Sequence, residues 1–127
     1  IPIFLIKSTK IVPFAHWITP EFVARRYDTR FFITRMPENQ EINHDGNELI
    51  ENIWISPQSA LLKGQEGKMQ MILPTLKCLE QLMGFESIDN LMAHYQSLDA
   101  KDIQSNLPKF VKKDGQWKEL LPGDEGY

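Results

Sequence analysis

The pattern of the chain changes at Ser56-Pro57, and that change restricts the fold more than any other feature. Ahead of it the residues suit strands; behind it they suit helices. Serine accepts hydrogen bonds from the free N–H groups of a first helical turn, and proline at the first helical position sacrifices no bond. Ser56-Pro57-Gln58 is therefore expected to start a short helix that stops by Gly64. Pro74 starts a longer one, in which Leu76, Leu79, Leu82 and Met83 fall at helical spacing before Gly84 as its C-cap. Ser87–Leu98 has the same form, with an apolar stripe of Ile88, Leu91, Met92 and Tyr95 expected in the core. Strands in the first part and helices in the second give an α+β class.

The strand-like part has its own punctuation. Residues 1–6 suit a strand. Lys10–Thr19, KIVPFAHWIT, is aromatic and β-branched, with Pro13 keeping its early part at an edge or a start. Glu21–Tyr27 is a connection, and Tyr27–Met36 is a strand. A polar loop with Pro37 and Asp45-Gly46 follows, then the alternating Glu48–Ser56. Across that loop 27–36 is expected to pair antiparallel with 48–55. The organisation is one domain, with 1–56 mainly strands, 57–100 helices, and 101–127 a tail with a hairpin turn at Asp114-Gly115.

Bulk properties remove several classes of function. The chain has 127 residues, 42% of them hydrophobic, 24% charged, and a net charge of −3. That balance fits a packed domain and argues against a general nucleic-acid binder. Cys78 is the only cysteine. It excludes an internal disulfide and any zinc site needing two thiolates, and it suits a buried helical position in a cytoplasmic protein. The apolar run Ile1–Ile6 is far too short to span a bilayer, and it lacks the basic flank and cleavage site of a signal peptide. A chain that opens on Ile within such a run is expected to be cut from a longer one.

Motifs of catalysis are sparse. His16, His44 and His94 have no metal-ligand spacing. His94 suits a helix surface, His44 an exposed loop, and His16, beside Trp17, local stacking or hydrogen bonding. There is no phosphate loop, nucleophile elbow or dinucleotide fingerprint. Two clusters remain. In RRYDTRFFI, alternation puts Arg26, Asp28, Arg30 and Phe32 on one face, and Arg25, Tyr27, Thr29, Phe31 and Ile33 on the other. The arginines offer planar donor forks for phosphate or carboxylate, or they form a silent surface ladder with Asp28. Glu48 and Glu51, three apart, point to opposite faces of a regular strand.

Taken in order, FAHWITP (14–20), RRYDTRFFI (25–33) and DGNELIENIWISP (45–57) resemble the later part of Nudix hydrolases. The similarity is to the branch with coenzyme-A-pyrophosphatase-like and other bacterial members. PTLKCLEQL (74–82) and the closing LPGDEGY (121–127) resemble it too. The resemblance implies an α/β/α sandwich, and a parent enzyme that uses Mg²⁺ or Mn²⁺ to cleave nucleoside diphosphates linked to another group. It implies a nucleotide-type small molecule as partner, with neither nucleic acid nor membrane. Arg25, Arg26, Tyr27, Asp28, Arg30 and Phe31 would line the substrate cleft. Arg26 and Arg30 would contact phosphates, Tyr27 or Phe31 would stack on a base, and Asp28 would orient an arginine. Glu48, with Glu51 second, would be the catalytic or metal-binding carboxylate, and Trp54 would pack in the core.

The family's box, G-x5-E-x7-R-E-U-x-E-E-x-G-U with U aliphatic, is absent; no Arg-Glu or Glu-Glu dipeptide occurs. The expectation is a C-terminal portion of a longer enzyme that cannot hydrolyse diphosphates by itself. The alternative is a degenerate relative that serves as a nucleotide-binding or self-assembling module. In the latter case exposed sheet edges would favour a homo-oligomer.

Overall fold

The computed structural model of the chain describes residues 11–36 and 53–127. It has the expected α+β content: strands β1 Val12–Ile18, β2 Asp28–Ile33, β3 Ser105–Asn106, β4 Lys109–Lys113 and β5 Gln116–Leu120, and helices α1 Pro57–Gln65, α2 Leu73–Met83 and α3 Ile88–Gln96. The chain divides into two compact units, one of Ile1–Ile11 with Thr34–Ala93 and one of Val12–Ile33 with His94–Tyr127. The division falls inside α3.

The first unit is helical in its described part. Ser56 caps α1 as its residue type predicts, its Oγ accepting from the Ser59 N–H at 3.2 Å. The helix does not stop at Gly64. It ends one residue later, at Gln65, and is closed where Lys68 N–H donates to Lys63 O at 2.9 Å and Gly67 N–H to Gly64 O at 3.1 Å. That reciprocal closure needs a left-handed residue, and Gly67 supplies it with φ +72°. Gly64 serves packing instead: a Cβ there would lie 3.3 Å from Met71 Sδ. In α2 Pro74 occupies the first turn, Cys78 is buried, and Gly84 holds the C-cap position in right-handed conformation. Ser87 caps α3, its Oγ accepting from Asn90 N–H at 3.1 Å. Only part of the expected α3 stripe is core: Met92 and Tyr95 are buried, whereas Ile88 is 58% exposed. Trp54, expected in the core, is 71% exposed.

The second unit is built around β1, the middle strand of a three-stranded sheet ordered β2-β1-β3. Pro13 lies inside this middle strand, which a missing N–H would normally forbid. It is tolerated because β3 reaches only His16 and Trp17, and because the register shifts between Pro13 and Ala15. Phe14 is the extra residue of that bulge. It is buried, and its ring meets the Tyr95 ring edge-on at 4.9 Å. Val12, Ala15 and Trp17 are buried with it. β2 pairs antiparallel with β1; the expected pairing of 27–36 with 48–55 falls mostly outside the described residues. Residues 53–56 are not strand, and 48–52 lie outside the described residues.

The tail forms the expected hairpin, β4 paired with β5. Asp114 at φ 53° and Gly115 at φ 79° are both left-handed, the combination of a type I′ turn, whose twist matches that of paired strands. Its base is tied by the Tyr127 hydroxyl, which donates to Leu107 O at 2.8 Å.

Nothing lies within 4 Å of a Cβ added at Gly115, so a substitution there tests backbone conformation alone. Gly115→Ala is expected to weaken the hairpin by on the order of 1 kcal/mol, and Gly115→Asn by less. Native-state hydrogen exchange of the Val111 and Lys118 amides, a cross-strand hydrogen-bonded pair, would read the difference.

Candidate functional site

The arginine-rich segment is positioned by one threonine. Thr19 N–H donates to Tyr27 O at 2.9 Å, and Tyr27 N–H donates to Thr19 Oγ1 at 2.9 Å. The Thr19 hydroxyl in turn donates to Tyr27 O at 3.3 Å. These bonds close the connection between β1 and β2 onto itself. Within it Val23 N–H donates to Pro20 O at 3.1 Å, an additional tight turn. Arg26 joins the closure through its Nε, which donates to Thr19 O at 3.1 Å. Its terminal amino groups have no such bond among the described residues.

The strand begins at Asp28, one residue after the expected start, so Arg25, Arg26 and Tyr27 lie on the connection rather than on a strand face. The Arg25 guanidinium stands 5.4 Å from the centre of the Tyr27 ring, and that ring is 55% exposed. From Asp28 onward the alternation holds. Phe31 lies opposite Ala15 and Thr29 opposite Trp17, on the buried side. Phe31 is half-buried there, which leaves Tyr27 as the more open ring. Asp28 and Arg30 share the other side with His16, the direct cross-strand partner of Arg30.

Asp28 does not hold an arginine. Its Oδ1 is 2.5 Å from His16 Nε2. A carboxylate only accepts, so Nε2 carries the proton and donates. Arg25, Arg26 and Arg30 are exposed, and no acidic side chain forms an ion pair with them among the described residues. Arg35, farther along, is paired with Asp89. The segment thus presents three guanidinium groups in six residues, next to an open tyrosine ring. Such donor forks bind phosphate or carboxylate oxygens pairwise.

The remaining candidates are dispersed. His94 is exposed on α3, its ring 4.9 Å from that of Tyr95. His44, Glu48 and Glu51 lie outside the described residues. Among the described residues no three His, Cys, Asp or Glu side chains come together to hold a metal ion. The described residues by themselves therefore gather no divalent-cation site. No described helix is long and apolar enough to cross a membrane. The sequence reading missed Thr19 and the His16–Asp28 contact. Thr-Pro after a strand signals a turn, which would have pointed to Thr19. Nothing local joins His16 to Asp28, because their contact depends on register.

Two known proteins are similar to this chain. It is 25% identical over 117 residues to the acyl-coenzyme A diphosphatase NUDT19 of Xenopus laevis, covering 89% of this chain and 31% of that protein. It is 26% identical over 113 residues to acyl-coenzyme A diphosphatase NUDT19 of Homo sapiens, covering 87% of this chain and 30% of that protein. The chain thus spans about a third of the length of these relatives. No family model and no solved structure matches it. The two similarities support a Nudix-like relation.

Removing the hydroxyl tests what positions the arginines. Thr19→Val is expected to cost about 0.5–1.5 kcal/mol, the net worth of the bond from the Tyr27 N–H to its hydroxyl. Thr19→Ser should retain most of it. Urea denaturation of the three proteins would measure both.

Proposed function

We propose that the chain is the substrate-side portion of a Nudix-type hydrolase acting on nucleoside-diphosphate-linked substrates of the coenzyme A or ADP-ribose kind. The observation that carries this reading is the set of exposed guanidinium groups of Arg25, Arg26 and Arg30, without ion pairs among the described residues, with Arg25 over the open Tyr27 ring. A diphosphate places two anionic groups next to one another, and each can accept a fork of N–H donors. Arg26 is half-committed through Nε, which fixes its plane and leaves its far edge for an oxygen. Tyr27 offers a face to a purine base. In hydrolysis such cations stabilise charge that develops on the phosphoryl oxygens. The similarity to proteins named acyl-coenzyme A diphosphatases supports the same substrate class.

Glu48, with Glu51 second, is proposed as the carboxylate contributed from this portion. Mg²⁺ or Mn²⁺ is proposed for the whole protein, where a box with Arg-Glu and Glu-Glu pairs would supply the remaining acids. The absence of both dipeptides from this chain favours a second reading, a nucleotide-binding module without catalysis. Both readings expect this chain to be inactive by itself, and a G-x5-E-x7-R-E-U-x-E-E-x-G-U box encoded in frame ahead of it would favour the first. The 127-residue chain, given Mg²⁺ or Mn²⁺, is expected to release no product from coenzyme A, ADP-ribose or NADH. Metal-dependent turnover above a no-protein control would show that it needs no further acids.

Binding tests the site itself. By calorimetry with ADP-ribose or coenzyme A, Arg26→Ala and Arg30→Ala are each expected to weaken affinity by about 1.5–3 kcal/mol, the range for a hydrogen bond to a charged group. Equal affinity in native and variant chains, or none in either, removes the arginine site.

A further inference from the structure

We propose that His16 is a positioning residue: by holding the Asp28 carboxylate, it keeps that carboxylate off Arg30 and leaves the guanidinium open to a diphosphate. The inference rests on the reading that these arginines receive one. It starts from a competition that the strand geometry sets up. Asp28 and Arg30 are two apart on β2, so their side chains share a face, with Cα atoms about 7 Å apart. An arginine stem easily spans that distance. Left to themselves, the carboxylate and the guanidinium would form a bidentate pair. The pair would occupy the same N–H groups that a phosphate needs.

His16 changes the outcome because it is fixed and Asp28 is not. The His16 side chain is 12% exposed, that of Asp28 59%. The backbone of His16 is held from both sides, paired with Arg30 on β2 and with Ser105 on β3. Its carbonyl also accepts from Asn106 Nδ2 at 3.2 Å. The imidazole therefore presents Nε2–H from a nearly buried ring on a backbone held by both neighbouring strands. Asp28 swings to it and meets it at 2.5 Å. Arg30, directly across from His16, is left exposed and without an acidic partner among the described residues.

The bulge at Phe14 makes this geometry possible. Val12 pairs with Ile33 and Pro13 with Phe32, but after the bulge Ala15 pairs with Phe31 and His16 with Arg30. Without the extra residue His16 would stand opposite Thr29, with its ring on the other side of β2 from Asp28.

The test pairs a binding arm with a ligand-free arm. His16→Ala releases Asp28 to Arg30 and is expected to weaken inorganic pyrophosphate binding about tenfold by calorimetry. Adding Asp28→Asn to His16→Ala removes the competing carboxylate and is expected to restore affinity, which a merely structural role of His16 would not produce. Without ligand, Arg30 Nε–H exchange with water, followed by NMR, is expected to slow in His16→Ala and not in the double variant. Should His16→Ala fail to fold, His16→Phe keeps the ring volume without the N–H and is read in its place. Native pyrophosphate affinity in the single variant, no recovery in the double variant, or unchanged Arg30 exchange would each overturn the inference. If Arg26→Ala and Arg30→Ala bind pyrophosphate like the native chain, the diphosphate reading fails. The exchange arm still decides whether His16 keeps Asp28 from Arg30.

Discussion

The closure of Thr19 onto Tyr27 is the constraint on which the arginine site depends. Its backbone and side-chain bonds satisfy both polar groups of the Tyr27 backbone, so the connection from β1 to β2 ends in a defined geometry. Arg26 is attached to the same threonine, and Arg25 lies over the tyrosine it precedes. A loop that is exposed along most of its length thereby holds its cations in place without burying them. That combination suits recognition, since a buried guanidinium would need a permanent counter-charge.

The same closure delivers β2 to β1 in one register. The bulge then sets which side chains face one another: Phe31 against Ala15 toward the core, Arg30 against His16 on the opposite side. One strand therefore does two things. Its inner face contributes to burial, and its outer face distributes charge. The Asp28–His16 contact removes a negative group from competition, and the proline that would break a regular middle strand sits where β3 does not reach.

Local chemistry was legible wherever a residue acts on its own neighbours. Ser56 and Ser87 cap helices because their hydroxyls reach N–H groups three residues on. Asp114-Gly115 turns because both residues accept positive φ. The cationic character of RRYDTR was equally visible, since guanidinium charge does not depend on the fold. Misreadings arose where an outcome rests on distant contacts. Gly64 looked like the helix stop, and α1 runs one residue past it before the left-handed Gly67 closes it. Trp54 was expected in the core from the family resemblance, and it is exposed.

The sequence by itself determined the α+β class, the helix starts, the hairpin turn and the cationic character of residues 25–30. Each follows from torsional preference or from side-chain chemistry within a few positions. Only the tertiary structure decided that β2 pairs with β1, that Thr19 fastens the loop, and that Asp28 belongs to His16 rather than to an arginine. The reason is register. Residues twelve apart meet only after the strands are aligned, and a single bulged residue moves every later pairing by one.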